Sequence, residues 1–484
     1  MLFNSFSFLV FFAVVTTGYF VLPHRYRWML LLVASCIFYM AFIPAYILIL
    51  FLTIAIDYYA GIKIEENKNG RKQVYLIISI VSTCLVLIVF KYANFIFVNI
   101  NDLAQFLHWN YSLPLLGIIL PIGLSFHTFQ SLSYVIEVYR GKQKAEKNFG
   151  IYSLYVMFYP QLVAGPIERP QNLLHQFYTE HRFEYARVTA GLQRMLWGFI
   201  KKIVVADNLA FYVNKVYDAP HSYSGLVFVV ATVFFAVQIY CDFSGYSDIA
   251  IGCAQVMGFT LMTNFKNPYF SLSVTEFWSR WHISLSTWFR DYVYIPLGGN
   301  RVGRAKWVRN ILITFLISGF WHGANWTYII WGFLHGMYVV LGVWVDTLCK
   351  RIPLSRGKSV VLVGMRWLST FVLVSVAWVF FRAKTVGDAL FILSESFKSI
   401  FLGNGFHAAL TSIISPLPSF IYLMAFLLTT VVFFAMELVD YRSNLIETFR
   451  KQPAWLRWGV YALALLAIMN LGVTKTVPFI YFQF

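Results

Sequence analysis

His322 lies in the run Phe320-Trp321-His322-Gly323-Ala324-Asn325, inside an otherwise apolar stretch from Ile311 to Val345. An imidazole at membrane depth costs free energy unless it pairs, hydrates or works, so an ionisable residue there is a functional-site hypothesis. Imidazole titrates near neutral pH and can take a proton from a hydroxyl during nucleophilic attack. The same stretch carries His335, and from Asn310 to Cys349 it has no Lys, Arg or Glu and a single Asp, Asp346. If helical, His322 lies 13 residues past Arg309, roughly 20 Å at the helical rise per residue. His335 lies 15 residues before Lys350, at a similar level on a returning span. Only a substrate tunnel reaches groups at that depth. His322 is the candidate general base, with a hydrogen-bonded structural histidine as the alternative; His335 reads as a packing or hydrogen-bonding partner.

Other chemistries compete for these residues. His282, His322 and His335 could make a three-ligand metal site, but there is no H-x-x-x-H and no carboxylate near His322 or His335 in sequence, so no metal is expected. Asp242 and Asp248 end an apolar run in Gln238-Ile-Tyr-Cys-Asp242-Phe-Ser-Gly-Tyr-Ser-Asp248. In a transporter they would bind a coupling ion or proton; the plainer reading is helix capping and hydrogen bonding around Ser244-Gly245. The last residues, Val477-Pro-Phe-Ile-Tyr481-Phe-Gln-Phe484, are aromatic where a terminus is usually polar and frayed. They form either an interfacial aromatic belt or a tail folded into a cavity, and Tyr481 is their only side-chain nucleophile.

The elements that must hold these groups are apolar. The 484 residues are 59% hydrophobic and 12% charged, against about 25% charged in soluble domains. This predicts an all-α, polytopic membrane protein. Spans are expected near 3–22, 28–43, 45–62, 74–99, 113–135, 224–241, 311–328, 329–348, 359–381, 417–439 and 458–474, about eleven in all. Segments near 151–164, 190–206, 247–260 and 386–402 are shorter or broken, and read as spans, re-entrant pieces or interfacial helices. The first apolar stretch has no basic region before it and no small-residue cleavage site, so it does not read as a signal peptide. The net charge of +17 sits in short loops, which places those loops in the cytoplasm and both termini outside; the same placement argues against nucleic acid as a partner. Cys36, Cys84, Cys241, Cys253 and Cys349 are scattered and read as small buried hydrophobes.

The chain reads as one membrane domain over 1–484, with a core segment at 238–348 and the aromatic tail at 477–484. The stretch from about 140 to 310 is richer in Pro, Gly and charge. Broken backbone at membrane depth is tolerated where it is buried or lines a watery cavity, so this region should form a central tunnel. From Glu276 to Pro296 the spacing of Trp278, Trp281, Leu285, Trp288 and Tyr292 predicts one interfacial helix with an aromatic face. His282 falls on that face, turned toward protein.

These residues together resemble the membrane-bound O-acyltransferase family, and most of all its bacterial branch. That branch holds the alginate and peptidoglycan O-acetyltransferase membrane subunits and the lipoteichoic acid D-alanylation subunit. The resemblance covers nearly the whole chain. It is strongest in Asp242-Phe-Ser-Gly-Tyr-Ser-Asp248, Glu276-Phe-Trp-Ser-Arg-Trp-His282-Ile-Ser-Leu-Ser-Thr-Trp288, Leu297-Gly-Gly-Asn-Arg301 and Trp321-His322-Gly-Ala-Asn325, and weaker in Phe90-Lys-Tyr-Ala-Asn94-Phe95 and Gln161-Leu-Val-Ala-Gly-Pro166. It implies that His322 is the catalytic residue at a tunnel constriction, with His282, 40 positions upstream, facing it. Trp321, Asn325, Asp242 and His335 become supporting residues. The tail resembles the acceptor segment of the D-alanylation system, a small separate protein with an acyl-carrying tyrosine; here Tyr481 would be built into the enzyme.

The resemblance implies an acetyltransferase with acetyl-CoA as donor and no metal. Acetyl-CoA would approach from the cytoplasm, its phosphates suited to basic loops that include Arg301, Arg304 and Arg309. His322 would take the Tyr481 phenol proton as the oxygen attacks the thioester, with His282 or its surroundings steadying the oxyanion. A phenyl ester keeps high transfer potential because phenol has a pKa near 10. An extracytoplasmic transferase partner would then pass the acetyl group to a sugar hydroxyl, the enzyme sitting in the cytoplasmic membrane. A transporter or channel using the Asp and His residues, and an O-acyltransferase acting on a lipid or protein hydroxyl, are the alternatives. Peptidoglycan, alginate and other polysaccharides all fit as final acceptor.

Overall fold

In lipid, backbone polar groups must be satisfied within the chain, and a helix does this within one segment. The computed structural model describes residues 1–67, 70–349, 360–403, 406–417, 420–443, 445–473 and 479–480, and among them it is helical without a strand. Tyr481 and the rest of the tail, Phe479 and Ile480 excepted, lie outside the described residues, as do residues 350–359. Seven described helices are long and apolar enough to cross a bilayer: Tyr46–Glu66, Lys72–Phe106, Val227–Met257, Trp326–Thr347, Val360–Arg382, Tyr422–Ser443 and Ala454–Leu471. Each coincides with an expected span. Phe6–Val21 is apolar but shorter, and His24–Met40 carries Arg25 and Arg27 in its first turn. The protein is a multi-pass membrane protein.

Two expected spans differ from the observed elements. In place of a helix across 113–135, residues 109–121 have no regular secondary structure and a helix runs only over Leu124–Tyr139. Pro114 and Pro121 remove backbone donors, and Gly123 stands at φ 79°, where a Cβ would lie 2.7 Å from the Leu162 carbonyl oxygen. Side-chain amides take over the missing backbone pairing. Asn94 both donates to Leu116 O at 2.9 Å and accepts from Leu116 N at 2.7 Å, and Asn101 does the same to Leu113 at 3.0 and 2.7 Å. The other difference is at 311–328, where one helix, Arg304–His322, ends on the histidine itself and the next begins at Trp326.

The described chain forms two compact units, Met1–Met195 with Tyr246–Met262, and Leu196–Gly245 with Thr263–Phe484. The first is built on Tyr46–Glu66, Lys72–Leu87, Leu124–Tyr139 and Phe149–Met157. The second contains His282, His322, His335, Asp242 and, of the tail, Phe479 and Ile480. Cys36, Cys84, Cys241 and Cys253 are free thiols.

Candidate active site

A tight helical hairpin places His322. Arg304–His322 and Trp326–Cys349 cross where Gly319 meets Gly332. A Cβ on Gly332 would lie 3.2 Å from the Gly319 Cα and 3.1 Å from the Phe315 carbonyl carbon, and would collide with the Phe315 carbonyl oxygen. Small residues permit this approach of two backbones, as is common between membrane helices. Gly323 follows the histidine, and any side chain there would run into the Tyr328 ring. Asn325 caps the returning helix: its Oδ1 accepts from Thr327 N at 3.0 Å, and its Nδ2 donates to Lys384 O at 3.0 Å. Asn325 thus fixes the turn that carries the imidazole. His322 is buried, its ring 4.9 Å from both Trp321 and Trp331 and 5.3 Å from Phe381.

His282 sits at a break. The single helix expected from Glu276 to Pro296 is two, Val274–Arg280 and Ile283–Phe289, followed by a wider turn at Arg290–Tyr294. His282 joins them in the left-handed region, φ 43° and ψ 54°. A non-glycine residue there costs of order 1–3 kcal/mol and persists only where its surroundings hold it. Asn264 does the holding. Its carbonyl oxygen accepts from Ile283 N at 2.9 Å, while its side-chain Oδ1 takes Ser284 N at 3.3 Å, Ser284 Oγ at 3.0 Å and His282 Nδ1 at 3.1 Å. Because Ser284 N can only donate, the Asn264 oxygen must face it, and His282 must donate from Nδ1–H. Burial pushes the His282 imidazole down to about 3, so the ring is neutral and Nε2 carries its lone pair. The aromatic face is not a headgroup belt either, since Trp281, Leu285 and Trp288 are buried in protein.

The three histidines share one ladder of rings. Trp321 stands 6.5 Å from His282 and 4.9 Å from His322; Trp331 stands 4.9 Å from His322 and 4.9 Å from His335. His335 accepts a hydrogen bond at Nδ1 from Trp278 Nε1 at 3.2 Å. No group of three or more metal-binding side chains occurs among the described residues.

Asp242 connects this ladder to the tail. It does not cap a helix but sits inside Val227–Met257, buried, with Lys202 Nζ 2.6 Å from Oδ1. Lys202 also reaches Asp207 at 2.9 Å. The other oxygen, Oδ2, accepts from the backbone N of Ile480 at 2.8 Å. Phe479 and Ile480 are buried, and the Phe479 ring lies 5.4 Å from Phe243, which lies 4.5 Å from His282. Asp248, in the other unit, does not cap either; it pairs with Arg194 at 3.0 Å.

Arg301, Arg304 and Arg309 are exposed. Near them a cleft of about 350 Å³ runs between Trp307, Ile311, Phe315 and Val343, with Arg290 and Asn300 on its wall and Trp278 and Ser318 among its lining. Sequence reasoning missed Asn264, Lys202 and Asp207. Lys201-Lys202 within Trp197-Gly-Phe-Ile-Lys-Lys-Ile-Val-Val-Ala206 was a legible signal, two cations in an apolar run. Nothing marked Asn264.

The arrangement gathers buried imidazoles in an aromatic setting. The comparisons give the family. The model of the MBOAT, membrane-bound O-acyltransferase family, matches residues 18–381. The chain is 38% identical to a probable alginate O-acetylase AlgI of Pseudomonas putida, with 100% of both chains covered. It is 34% identical to a peptidoglycan O-acetyltransferase of Helicobacter pylori, over 81% of this chain and 79% of that one. A teichoic acid D-alanyltransferase of Streptococcus thermophilus is 30% identical over 49% of this chain and 60% of its own. The chain belongs to the membrane-bound O-acyltransferase family and is an O-acyltransferase.

Proposed function

We propose that this enzyme carries acetyl groups from cytoplasmic acetyl-CoA across the membrane for O-acetylation of an extracytoplasmic polysaccharide, using Tyr481 of its own tail as relay. The relatives named for alginate and peptidoglycan O-acetylation support the substrate class. The observation that carries the relay is the seat of Ile480. Its backbone is hydrogen-bonded to Asp242, and its neighbour Phe479 is one ring away from His282. Tyr481 is the next residue.

The donor's thioester arm enters by the cleft beside Trp278, which Arg290 lines, and the exposed Arg301, Arg304 and Arg309 meet the cofactor's phosphates from outside it. The Tyr481 oxygen attacks the acetyl carbonyl carbon while His322 takes the phenol proton. The C–S bond breaks, and protonated His322 returns the proton to the leaving thiolate, giving free CoA and acetyl-tyrosine. His282 donates its Nδ1–H to Asn264 and has no second N–H for an oxyanion; with the phenol's one proton going to His322, His282 acts as a positioning residue that packs on Phe243, the ring against Phe479. An extracytoplasmic partner then moves the acetyl group from tyrosine to a sugar hydroxyl.

The test is intact-mass analysis of the C-terminal peptide after incubation with acetyl-CoA. An acetyl group on Tyr481 is expected in the wild type and absent in His322→Ala at normal membrane levels. Full polysaccharide O-acetylation by Tyr481→Phe would remove the relay and leave the acceptor to receive the acetyl group directly.

A further inference from the structure

Among the buried carboxyls that the proposed transfer does not use, Asp57 stands among hydroxyls with no cation beside it. Asp57 lies in the spanning helix Tyr46–Glu66 and is fully buried. Ser79 Oγ donates to its Oδ1 at 2.5 Å, and Thr83 Oγ1 lies 3.2 Å from both carboxyl oxygens; these two come from Lys72–Leu87. Ser131, on Leu124–Tyr139, and Tyr152, on Phe149–Met157, bring their hydroxyls to the same place. Both hydroxyls are fully buried and make no hydrogen bond of ordinary geometry. Four helices of the first unit thus converge with oxygen-bearing side chains.

An ionised Asp57 would have no counter-charge at this point. Among the described residues no Lys, Arg or His pairs with Asp57. Its titratable neighbours Tyr152 and Cys84 bring no positive charge. One helical turn earlier Thr53 engages His127 Nε2 at 3.4 Å. Ser79 and Thr83 fill lone pairs of the carboxylate without neutralising it, and a carboxylate removed from water must take up either a proton or a cation. The free lone pairs of four hydroxyls surround it. Hard cations take oxygen ligands, and one carboxylate among neutral hydroxyls matches a single positive charge.

We propose that Asp57, Ser79, Thr83, Ser131 and Tyr152 form a sodium-binding site within the first unit. The site is independent of the acetyl relay. Bound only in the folded protein, the ion stabilises by mass action.

The experiment is thermal unfolding of the purified full-length protein in detergent, in sodium, potassium and N-methylglucamine chloride at one ionic strength. A saturable rise in Tm on the order of 5 °C is expected in sodium alone. Asp57→Asn should abolish the increment. Should that variant fail to accumulate, Thr83→Val and Ser131→Ala, which keep the carboxylate, should each shift the sodium midpoint upward by about tenfold. Equal Tm in all three salts, an equal rise in potassium, or an unchanged sodium midpoint in Thr83→Val and Ser131→Ala would each overturn the assignment.

Discussion

Adding one methyl group at Gly332 should cost activity well before it costs the fold. In Gly332→Ala the new Cβ stands 3.1 Å from the Phe315 carbonyl carbon and 3.2 Å from the Gly319 Cα. Carbon atoms pack best at about 3.5–4.0 Å, and the Cβ collides with the Phe315 carbonyl oxygen, so the hairpin must open by about 1 Å at the crossing. Overpacking of this kind costs about 1–3 kcal/mol, while alanine returns up to ~1 kcal/mol of helix propensity. The net loss is a few degrees in Tm. Trp331 precedes Gly332 directly, and its ring is 4.9 Å from His322, so the shift passes straight to the imidazole. A 1 Å misplacement of a catalytic group lowers rate by about 100-fold. The control lies on the same helix: Gly342 has nothing within 4 Å of a built Cβ, so Gly342→Ala should behave as wild type. Both variants are compared by rate of acetyl incorporation from labelled acetyl-CoA and by Tm in detergent. If Gly332→Ala matches Gly342→Ala in rate, close backbone approach does not set the His322 position, and the reasoning fails.

Two further changes separate the tail from the base. Asp242→Ala removes the acceptor for Ile480 N while Lys202 keeps Asp207 at 2.9 Å; a hydrogen bond to a charged group is worth about 1.5–3 kcal/mol, so acetyl-Tyr481 should fall by about 10–100-fold, and Asp242→Asn, which keeps an acceptor oxygen, should recover most of it in the same mass assay. Asn264→Ala strips His282 Nδ1–H and Ser284 Oγ of their acceptor; the lost pairing should cost about 1–3 kcal/mol in denaturation and reduce acetylation further than the loss of stability explains, and an unchanged rate would detach His282 from the chemistry.

The spans were legible because a membrane helix is written in hydrophobicity, a signal averaged over many residues. The sequence placed His282, His322 and His335 as candidates by the same logic, since an ionisable group in an apolar run stands out. It misjudged the places where one residue overrides the average. The apolar run at 113–135 reads as a helix until Pro114, Pro121 and Gly123 stop it, and Asn94 and Asn101 then bind the extended backbone from a neighbouring segment of the same unit. The aromatic period through Glu276–Pro296 is real, yet His282 at φ 43° divides the helix because Asn264, 18 positions earlier, holds the bend. Asp242 read as a cap because its partners, Lys202 and Ile480, lie far away in the chain. Those pairings are tertiary, and no local pattern carries them.

The ring ladder also bears on how the proposed transfer must proceed. In water phenol has a pKa near 10 and imidazole near 6.5. Complete proton transfer before attack would therefore be uphill by about 5 kcal/mol, with ions formed in a poorly solvating site. The proton must instead move as the C–O bond forms, when the phenol oxygen is already losing its negative character to the carbonyl. A concerted step tolerates little misalignment among base, oxygen and carbonyl carbon. This accounts for the rigidity around His322: rings at 4.9 Å on two sides, a glycine crossing that fixes the hairpin, and a capped turn at Asn325. The same rings exclude water, which would otherwise compete with tyrosine for the thioester and later hydrolyse the phenyl ester. On this account, replacing Trp331 by Ala should raise acetyl-CoA hydrolysis relative to acetyl-Tyr481 formation, measured in one reaction by thiol release and peptide mass. An unchanged ratio would mean that water is kept out by something other than the ladder.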